Sequence, residues 1–219
     1  RPDTVTAEKL SVFKKHGVDR ISINPQTFNQ SVLDVLGRRH TVDDIYCKYG
    51  LAKEFGFTIN MDFIAGLPTE TYDMFCASID KAIEISPDNV TVHTLALKRG
   101  SILKEQSYTS SEQDVSAMVE YAHKRLYENG YVPYYMYRQK YMADNLENVG
   151  FCKPNKQCLY NIGIMEETTN ILACGTNAIS KRIFSADDRI ERSANAKDVI
   201  TYIERNKDYL SRKFELFSR

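Results

Sequence analysis

Residues 57–71, FTINMDFIAGLPTET, show how the first part of this chain folds. Residues 57–65 form an apolar run of strand length, and the Gly-Leu-Pro triplet at 66–68 ends it. The hydroxyl of Thr69 can then cap a helix, which we predict to extend to about Ile85. A strand, a turn and a helix therefore form one βα unit, although such a turn can also end a strand without any further role.

The same alternation continues on both sides of this unit. Residues 20–24 predict an earlier strand, which Pro25 ends, and residues 89–97 predict a later one. Helices predicted from Thr6, near Gln30 and from Thr41 lie between or before these strands. Such βαβ connections impose a parallel sheet. Three units fit either an open doubly wound sheet or half of a (β/α) barrel, and the pattern alone does not distinguish the two.

The second half of the chain has a different pattern. It predicts a helix from Ser110 or Ser111 to about Asn129, a strand within 131–141, a connection at 145–158, strands near 159–166 and 170–174, and a last helix at about 195–211. We therefore predict an α/β domain over residues 1–105 and a small α+β domain over residues 106–219.

Composition excludes several classes of protein. The 29 basic and 29 acidic side chains cancel, so no basic field attracts nucleic acid. No apolar run of about 18 residues provides a membrane-spanning helix. Five scattered cysteines indicate reduced thiols in the cytoplasm, and we interpret Cys152 and Cys158 as ordinary loop residues instead of metal ligands. The phosphate-binding, zinc-protease and serine-hydrolase motifs are missing from the sequence.

Three polar residues lie where parallel α/β folds bind ligands, at or after the carboxyl ends of strands. Gln26 offers an amide, Arg38 a guanidinium suited to a carboxylate, and Asp62 a carboxylate within an apolar strand. Together they could bind a ligand that carries a carboxylate, an ammonium group and a ribose diol. The alternative is structural, with Asp62 paired to a neighbouring Arg and Arg38 solvated.

The remaining candidates favour structural interpretations. We expect His93 to be a hydrogen-bonded core residue and His40 to be a helix-start residue, not a base or a metal ligand. Packing in a sheet is favoured over an aromatic pocket for the tyrosines at 131, 134, 135, 137 and 141.

Several stretches of this sequence resemble one known family. GVDRISINPQTFN (17–29), LGRRHT (36–41), INMDFIAGLPTET (59–71) and NVTVHTLAL (89–97) resemble the fourth to sixth βα units of radical SAM enzymes. The close match is the oxygen-independent coproporphyrinogen III oxidase group with its coproporphyrinogen dehydrogenase-like paralogues. NLENVGFCKPNKQCLYN (145–161) and ACGTNAISKRIF (173–184) resemble the C-terminal domain of that group. The resemblance implies the C-terminal half of a partial (β/α)6 TIM-like barrel plus a small α+β domain.

The resemblance also implies a chemistry. Members of this family bind S-adenosylmethionine and a [4Fe–4S] cluster, and they convert propionate side chains to vinyl groups by radical oxidative decarboxylation. The parent protein would be a cytoplasmic oxidoreductase of porphyrin and haem biosynthesis, with a porphyrinogen substrate and an electron donor such as flavodoxin or ferredoxin. Its catalytic residues are not legible in these motifs.

Five residues match the S-adenosylmethionine contacts of that family by position. Arg38 would bind the methionyl carboxylate, whereas Gln26 and Asp62 would serve the amino or ribose groups. Ile64 and Ala96 match positions where backbone groups approach the adenine.

The sequence departs from the family pattern in two places. The CxxxCxxC cluster loop is missing, so we expect an inactive fragment without a metal site, which could self-associate through an open barrel edge. The main alternative is a haem-binding or haem-trafficking paralogue, which typically carries a CRHNLNYW-like run. Residues 158–165 instead read CLYNIGIM, with Tyr160 for His and Met165 for Trp, which counts against haem delivery. A (β/α) barrel without radical chemistry and a structural scaffold are more distant alternatives.

Overall fold

The computed structural model describes residues 1–96, 114–137 and 146–218. The helices are α1 (Ala7–Lys15), α2 (Gln30–Val35), α3 (Val42–Glu54), α4 (Tyr72–Ile85), α5 (Val115–Glu128), α6 (Leu159–Met165), α7 (Val199–Glu204) and α8 (Asn206–Ser218). The strands are β1 (Arg20–Ser22), β2 (Thr58–Ala65), β3 (Asn89–Thr94), β4 (Val132–Tyr137), β5 (Asn148–Cys152), β6 (Ile179–Phe184) and β7 (Arg189–Ala194). A short 3-10 turn, Pro2–Thr4, precedes α1. No helix among the described residues is both long and apolar enough to cross a membrane.

Five strands form one sheet in the order β1-β2-β3-β5-β4, with β1 and β4 at its edges. The strands β1, β2 and β3 are parallel, as predicted, whereas β5 runs antiparallel to both β3 and β4. The interpretation of residues 145–158 as a connection is therefore wrong, because they contain β5. This strand is buried along its whole length, since it pairs with a neighbour on each side.

The helices among the described residues of this part of the chain pack on one face of the sheet. Along β2, burial alternates: Met61 and Phe63 are fully buried, whereas Asn60, Asp62 and Ile64 are half-buried on the opposite face. The buried face packs against apolar residues of α2 to α5, among them Leu33, Ile45, Phe75, Ile79, Met118 and Ala122. Helices on one face fit half of a (β/α) barrel and not a doubly wound sheet, which has helices on both faces.

Side-chain caps set the helix starts. Thr6 accepts a hydrogen bond from the Lys9 amide, and Thr41 forms a reciprocal capping box with Asp44, both as the sequence predicts. The expectation that Thr69 caps α4 is wrong, because Thr71 accepts from the Met74 amide. The predicted cap of α5 at Ser110 or Ser111 lies outside the described residues, and the helix begins after Asp114.

Residues 158–219 form a second compact unit. It contains α6, the antiparallel pair β6 and β7, and the helices α7 and α8. The strands predicted at 159–166 and 170–174 are wrong: the first stretch is helical, and the second has a single bridge, at Ile171. None of the five cysteines forms a disulfide.

The first compact unit ends at Gln157, well after the boundary predicted at 105/106, because α5, β4 and β5 complete the first sheet and its core. The assignment of 106–219 to a C-terminal domain of the coproporphyrinogen oxidase type stays a prediction.

Candidate functional site

The Asp62 carboxylate lies on the sheet face that the described helices leave open. Its Oδ2 accepts a hydrogen bond from Asn24 Nδ2 at 2.6 Å, and its Oδ1 accepts one from Asn60 Nδ2 at 2.7 Å. The side chain remains 21% exposed. Among the described residues no Arg pairs with Asp62, and the alternative of an ion pair with a neighbouring Arg stays a prediction, because Arg99 and Arg138 lie outside them. Two amides orient this carboxylate without neutralising it, so it can still accept a donor from a ligand.

Polar contacts continue from Asp62 to the next strands. His93 Nε2 lies 3.7 Å from Asp62 Oδ2, and the Tyr137 hydroxyl lies 3.0 Å from His93 Nδ1. Further along, Thr91 Oγ1 donates to Asn60 Oδ1 at 3.3 Å. His93 is hydrogen-bonded, as expected, but it lies on this polar face instead of in the apolar core. We call the row formed by Asn24, Asn60, Asp62, Thr91, His93 and Tyr137 the polar face.

A glycine in β5 allows the tyrosines of β4 to reach the polar face. Gly150 pairs with Thr91 on one side and Tyr135 on the other. A Cβ at Gly150 would lie 1.8 Å from Tyr135 Cε1, so the Tyr135 ring occupies the space of a side chain. The Tyr135 hydroxyl thereby comes within 3.3 Å of Thr91 Oγ1 across β5. Only glycine permits this arrangement.

The tyrosines of this stretch have different environments. Tyr131 packs in the core, where its hydroxyl donates to the Pro87 carbonyl at 2.6 Å, so the packing interpretation is confirmed for it. Tyr135 and Tyr137 stack with ring centroids 6.2 Å apart beside the polar face, and Tyr134 contacts Tyr135. Tyr141 lies outside the described residues.

Gln26 is bound directly to β2 beside Asp62. The backbone amide of Gln26 donates to the backbone carbonyl of Asp62 at 3.0 Å, and the backbone carbonyl of Gln26 accepts from the backbone amide of Ile64 at 3.1 Å. The backbone of Gln26 is left-handed, with a φ of 73°. A non-glycine residue in this conformation costs on the order of 1–3 kcal/mol and persists where its surroundings hold it. Gln26, Asp62 and Ile64 thus form one connected group.

No hydrogen bond among the described residues joins Arg38 or Ala96 to this group. Arg38 is half-buried in the loop between α2 and α3, and its guanidinium has no hydrogen bond or ion pair to any described residue. The Arg38 charge also acts on His40, two residues further along the chain. Burial lowers the pKa of His40, the backbone of Pro25 raises it in part, and the Arg38 charge lowers it further. Ala96 is half-buried after β3, where the Leu95 amide donates to the Ala65 carbonyl at 3.0 Å.

The polar face has an unsatisfied acceptor that fits a ligand rich in donors. Asn24 Oδ1 is buried without a hydrogen-bond partner among the described residues. An orphan amide oxygen beside an oriented carboxylate suits ammonium or hydroxyl groups, which are the groups that S-adenosylmethionine carries on its methionyl and ribose parts. The residues present therefore fit this cofactor. They do not fit a metal cluster, because the described part of the chain contains no group of three His, Cys, Asp or Glu residues able to hold an ion.

Some members of the site escape prediction from sequence. Asn60 lies on the polar face, and Glu70 lies buried against the loop that follows β1, yet neither stands out as a motif, and Tyr137 was considered only with the other tyrosines of its stretch. Asn60 and Asp62 alternate with the apolar residues Ile59, Met61 and Phe63, and this alternation is the signal that could have identified Asn60.

Comparisons with known proteins relate this chain to radical SAM proteins. Residues 1–82 match the family model of the Radical SAM superfamily. The oxygen-independent coproporphyrinogen-III oxidase-like protein HemZ of Bacillus subtilis is 43% identical over 219 residues, covering 98% of this chain and 44% of that protein. The heme chaperone HemW of Haemophilus influenzae is 27% identical over 224 residues, covering 99% of this chain and 55% of that protein.

One solved structure shows the same fold over almost the whole chain. Coproporphyrinogen III oxidase (HemN) from Escherichia coli, a radical SAM enzyme, matches with a TM-score of 0.68 at 20% identity, over 94% of this chain and 47% of that one. The resemblance to the radical SAM coproporphyrinogen oxidase-like group is thus confirmed. The chain spans about half the length of these proteins.

Proposed function

Because this chain is related to the coproporphyrinogen oxidase-like group of the radical SAM superfamily, we propose that it binds S-adenosylmethionine on its polar face. We further propose that the whole protein is a radical SAM oxidoreductase, a coproporphyrinogen dehydrogenase, which decarboxylates the propionate side chains of a porphyrinogen to vinyl groups. Bound S-adenosylmethionine supplies the hydrogen-abstracting radical for which this superfamily is named. The [4Fe–4S] cluster that such chemistry requires would be held by residues outside this chain.

The observation that carries the proposal is the oriented Asp62 carboxylate beside an orphan acceptor. Asn24 and Asn60 hold the carboxylate in one orientation, and no donor among the described residues reaches Asn24 Oδ1. A preoriented acceptor pair binds an ammonium or a diol at little entropic cost, because its side chains are already ordered.

Each of the five candidate residues has one role in this proposal. Asp62 and Gln26 bind the amino or ribose groups, and the half-buried Arg38 pairs with the methionyl carboxylate, as a guanidinium fork does well. Ile64 and Ala96 contribute backbone groups near the adenine, at the ends of β2 and β3. His93 lies beside Oδ2 of Asp62, and the Tyr137 hydroxyl contacts His93 in turn.

A product assay tests the proposal. The full-length protein is purified without oxygen, reconstituted with iron and sulfide, and incubated with reduced flavodoxin or ferredoxin, S-adenosylmethionine and coproporphyrinogen III. We expect 5′-deoxyadenosine and protoporphyrinogen by mass spectrometry. 5′-Deoxyadenosine alone would retain the radical chemistry and refute this substrate. Absence of both products, together with haem binding, would refute the proposal that the protein is an enzyme.

A haem-trafficking function is the second candidate, since HemW of Haemophilus influenzae, a heme chaperone, aligns with nearly all of this chain. Tyr160 and Met165, where haem-trafficking proteins typically have His and Trp, argue against it. Both residues are exposed in or at α6, so a haem ligand at position 160 would be accessible there. Titration of the full-length protein with haem distinguishes the candidates, because only a chaperone should show a stoichiometric shift of the haem absorption band.

A further inference from the structure

A buried polar cluster lies directly behind Gln26 in the chain. Its members are Thr27, Asn29, Glu70 and Ser78, and the side chains of Thr27, Glu70 and Ser78 are at most 1% exposed. The Thr27 hydroxyl donates to Glu70 Oε1 at 2.5 Å, and the Phe28 amide donates to Ser78 Oγ at 3.0 Å. Asn29 Nδ2 donates to the Met74 carbonyl at 2.9 Å. We call these four residues the Glu70 cluster.

The cluster connects the two loops that follow neighbouring parallel strands. Thr27 belongs to the loop after β1, which also presents Gln26, and Glu70 belongs to the loop after β2. The Glu70 amide donates to the Leu67 carbonyl at 3.2 Å, so the Glu70 backbone is itself fixed within the second loop. The Thr27 hydroxyl therefore ties the residue next to Gln26 to a rigid acceptor.

Packing alone does not account for a carboxyl group at this position. Glu70 Oε2 is buried without a hydrogen-bond partner in the described part of the chain, and an unpaired polar atom in the core destabilises the fold. Meanwhile the left-handed φ of Gln26 needs a constraint from its surroundings. The two backbone hydrogen bonds to β2 hold Gln26 itself, and the Thr27–Glu70 bond adds a second constraint one residue further along the loop.

We propose that Glu70 is a positioning residue. It accepts a hydrogen bond from the Thr27 hydroxyl and thereby holds Gln26 in the left-handed conformation that presents its side-chain amide to S-adenosylmethionine. This inference rests on the proposed function and concerns a residue that does not itself touch the cofactor. It also explains why a costly carboxyl group is kept in the core beside the site.

The surroundings of Glu70 indicate that its acceptor atom matters more than its charge. Burial raises the pKa of Glu70 from 4.5 to about 7, and the bonds from Thr27 and Asn29 oppose this shift only in part. The described groups that face it, Thr27 and Asn29 from one loop and Ser78 from α4 through Thr27, are all neutral. A glutamine at position 70 would keep an oxygen for Thr27 and should therefore preserve the loop.

The test measures S-adenosylmethionine binding by calorimetry in the full-length, cluster-loaded protein without reductant. We expect Glu70→Ala to raise the Kd about tenfold, as for one lost buried hydrogen bond, and Glu70→Gln to stay within about twofold of the wild type. Asp73→Ala is the matched control, since this exposed acid lies three residues away and has no described contact with the cluster. Its Kd should be unchanged.

A double-mutant cycle shows whether Glu70 acts through Gln26. In a Gln26→Ala background, Glu70→Ala should change the Kd by less than about twofold, because the presented amide is already gone. Hydrogen exchange of the peptide covering residues 24–30 gives a readout that does not depend on the cofactor. Exchange at the Phe28 and Asn29 amides should accelerate in Glu70→Ala and remain slow in Glu70→Gln.

The outcomes separate the two proposals. If the wild type binds S-adenosylmethionine and Glu70→Ala binds it equally well, the positioning role is refuted while the proposed function stands. An equal loss in the wild-type and Gln26→Ala backgrounds would likewise overturn it, since Glu70 would then act elsewhere. A wild type that does not bind S-adenosylmethionine refutes the proposed function, and the inference with it.

Discussion

Replacing Gly150 by Ala should destabilise the first compact unit, although an alanine in a strand is normally better than a glycine. The new Cβ would lie 1.8 Å from Cε1, 2.4 Å from Cδ1 and 2.8 Å from Cζ of Tyr135. All three distances are far inside van der Waals contact, so the Tyr135 ring must leave its place over β5. It then loses the contact between its hydroxyl and Thr91 Oγ1.

Two terms set the magnitude of this effect. Overpacking costs about 1–3 kcal/mol, and the lost hydrogen bond adds about 0.5–1.5 kcal/mol. Removing a glycine offsets roughly 0.4–1 kcal/mol by restricting the unfolded chain. We therefore expect the free energy of unfolding to fall by about 0.5–4 kcal/mol.

Urea unfolding followed by far-ultraviolet circular dichroism measures this loss; tryptophan fluorescence cannot, because the chain contains no tryptophan. The matched control is Gly50→Ala in α3, where a Cβ meets nothing within 4 Å. That substitution should stabilise the protein by about 0.5–1 kcal/mol.

The decisive experiment is a cycle with Tyr135→Ala. Once the ring is removed, Gly150→Ala should cost almost nothing, and the coupling energy should exceed about 1 kcal/mol. An equal cost of Gly150→Ala in both backgrounds would show that the ring does not occupy this space, and the explanation of the glycine would fail.

Three further predictions concern single groups. In the folded protein the pKa of Glu70 is raised from 4.5 to about 7. The protonated carboxyl therefore favours the folded state below pH 4.5, and the free energy of unfolding falls by about 3 kcal/mol as the pH rises through 7. Between pH 5 and pH 8, the free energy of unfolding in urea should fall less for Glu70→Gln than for the wild type. An equal fall in both proteins would contradict the raised pKa of Glu70. Tyr131→Phe removes the buried hydrogen bond to the Pro87 carbonyl and should cost about 1–3 kcal/mol, against less than about 0.5 kcal/mol for Tyr127→Phe, which is 71% exposed; similar values for the two would refute the reasoning. Arg38→Ala should weaken S-adenosylmethionine binding to the full-length protein by about 1.5–3 kcal/mol, whereas its exposed neighbour Arg39 can be replaced by Ala without effect; unchanged affinity of the Arg38 variant in calorimetry would remove this residue from the site.

Local sequence signals predict the parts of this protein that depend on local chemistry. The caps at Thr6 and Thr41 are confirmed because a side-chain oxygen and the amides that it accepts lie within one helical turn. The parallel strands β1 to β3 follow from apolar runs separated by helices. The rule that ligands bind at strand ends likewise identifies Gln26 and Asp62, which the structure connects.

Short apolar runs without periodicity mislead the same reasoning. Residues 159–165 have the apolar content of a strand, yet they form α6, in which Gly163 leaves room for Thr169: a Cβ there would lie 2.1 Å from Thr169 Oγ1. The strand β5 lies within a turn-rich stretch and was not predicted. Its own sequence pattern does not indicate a strand; it is one because it is buried between two neighbouring strands.

The sequence by itself determined the βα alternation, the helix caps at Thr6 and Thr41, the position of Gln26 after β1 and the position of Asp62 within β2. Only the tertiary structure decided their partners: Asn24 and Asn60 on the carboxylate, Glu70 behind the Gln26 loop, and His93 with Tyr137 across three strands. The physical reason is that these contacts depend on strand register and on how loops from separate strands meet. Neither quantity is carried by residues that are neighbours in the chain.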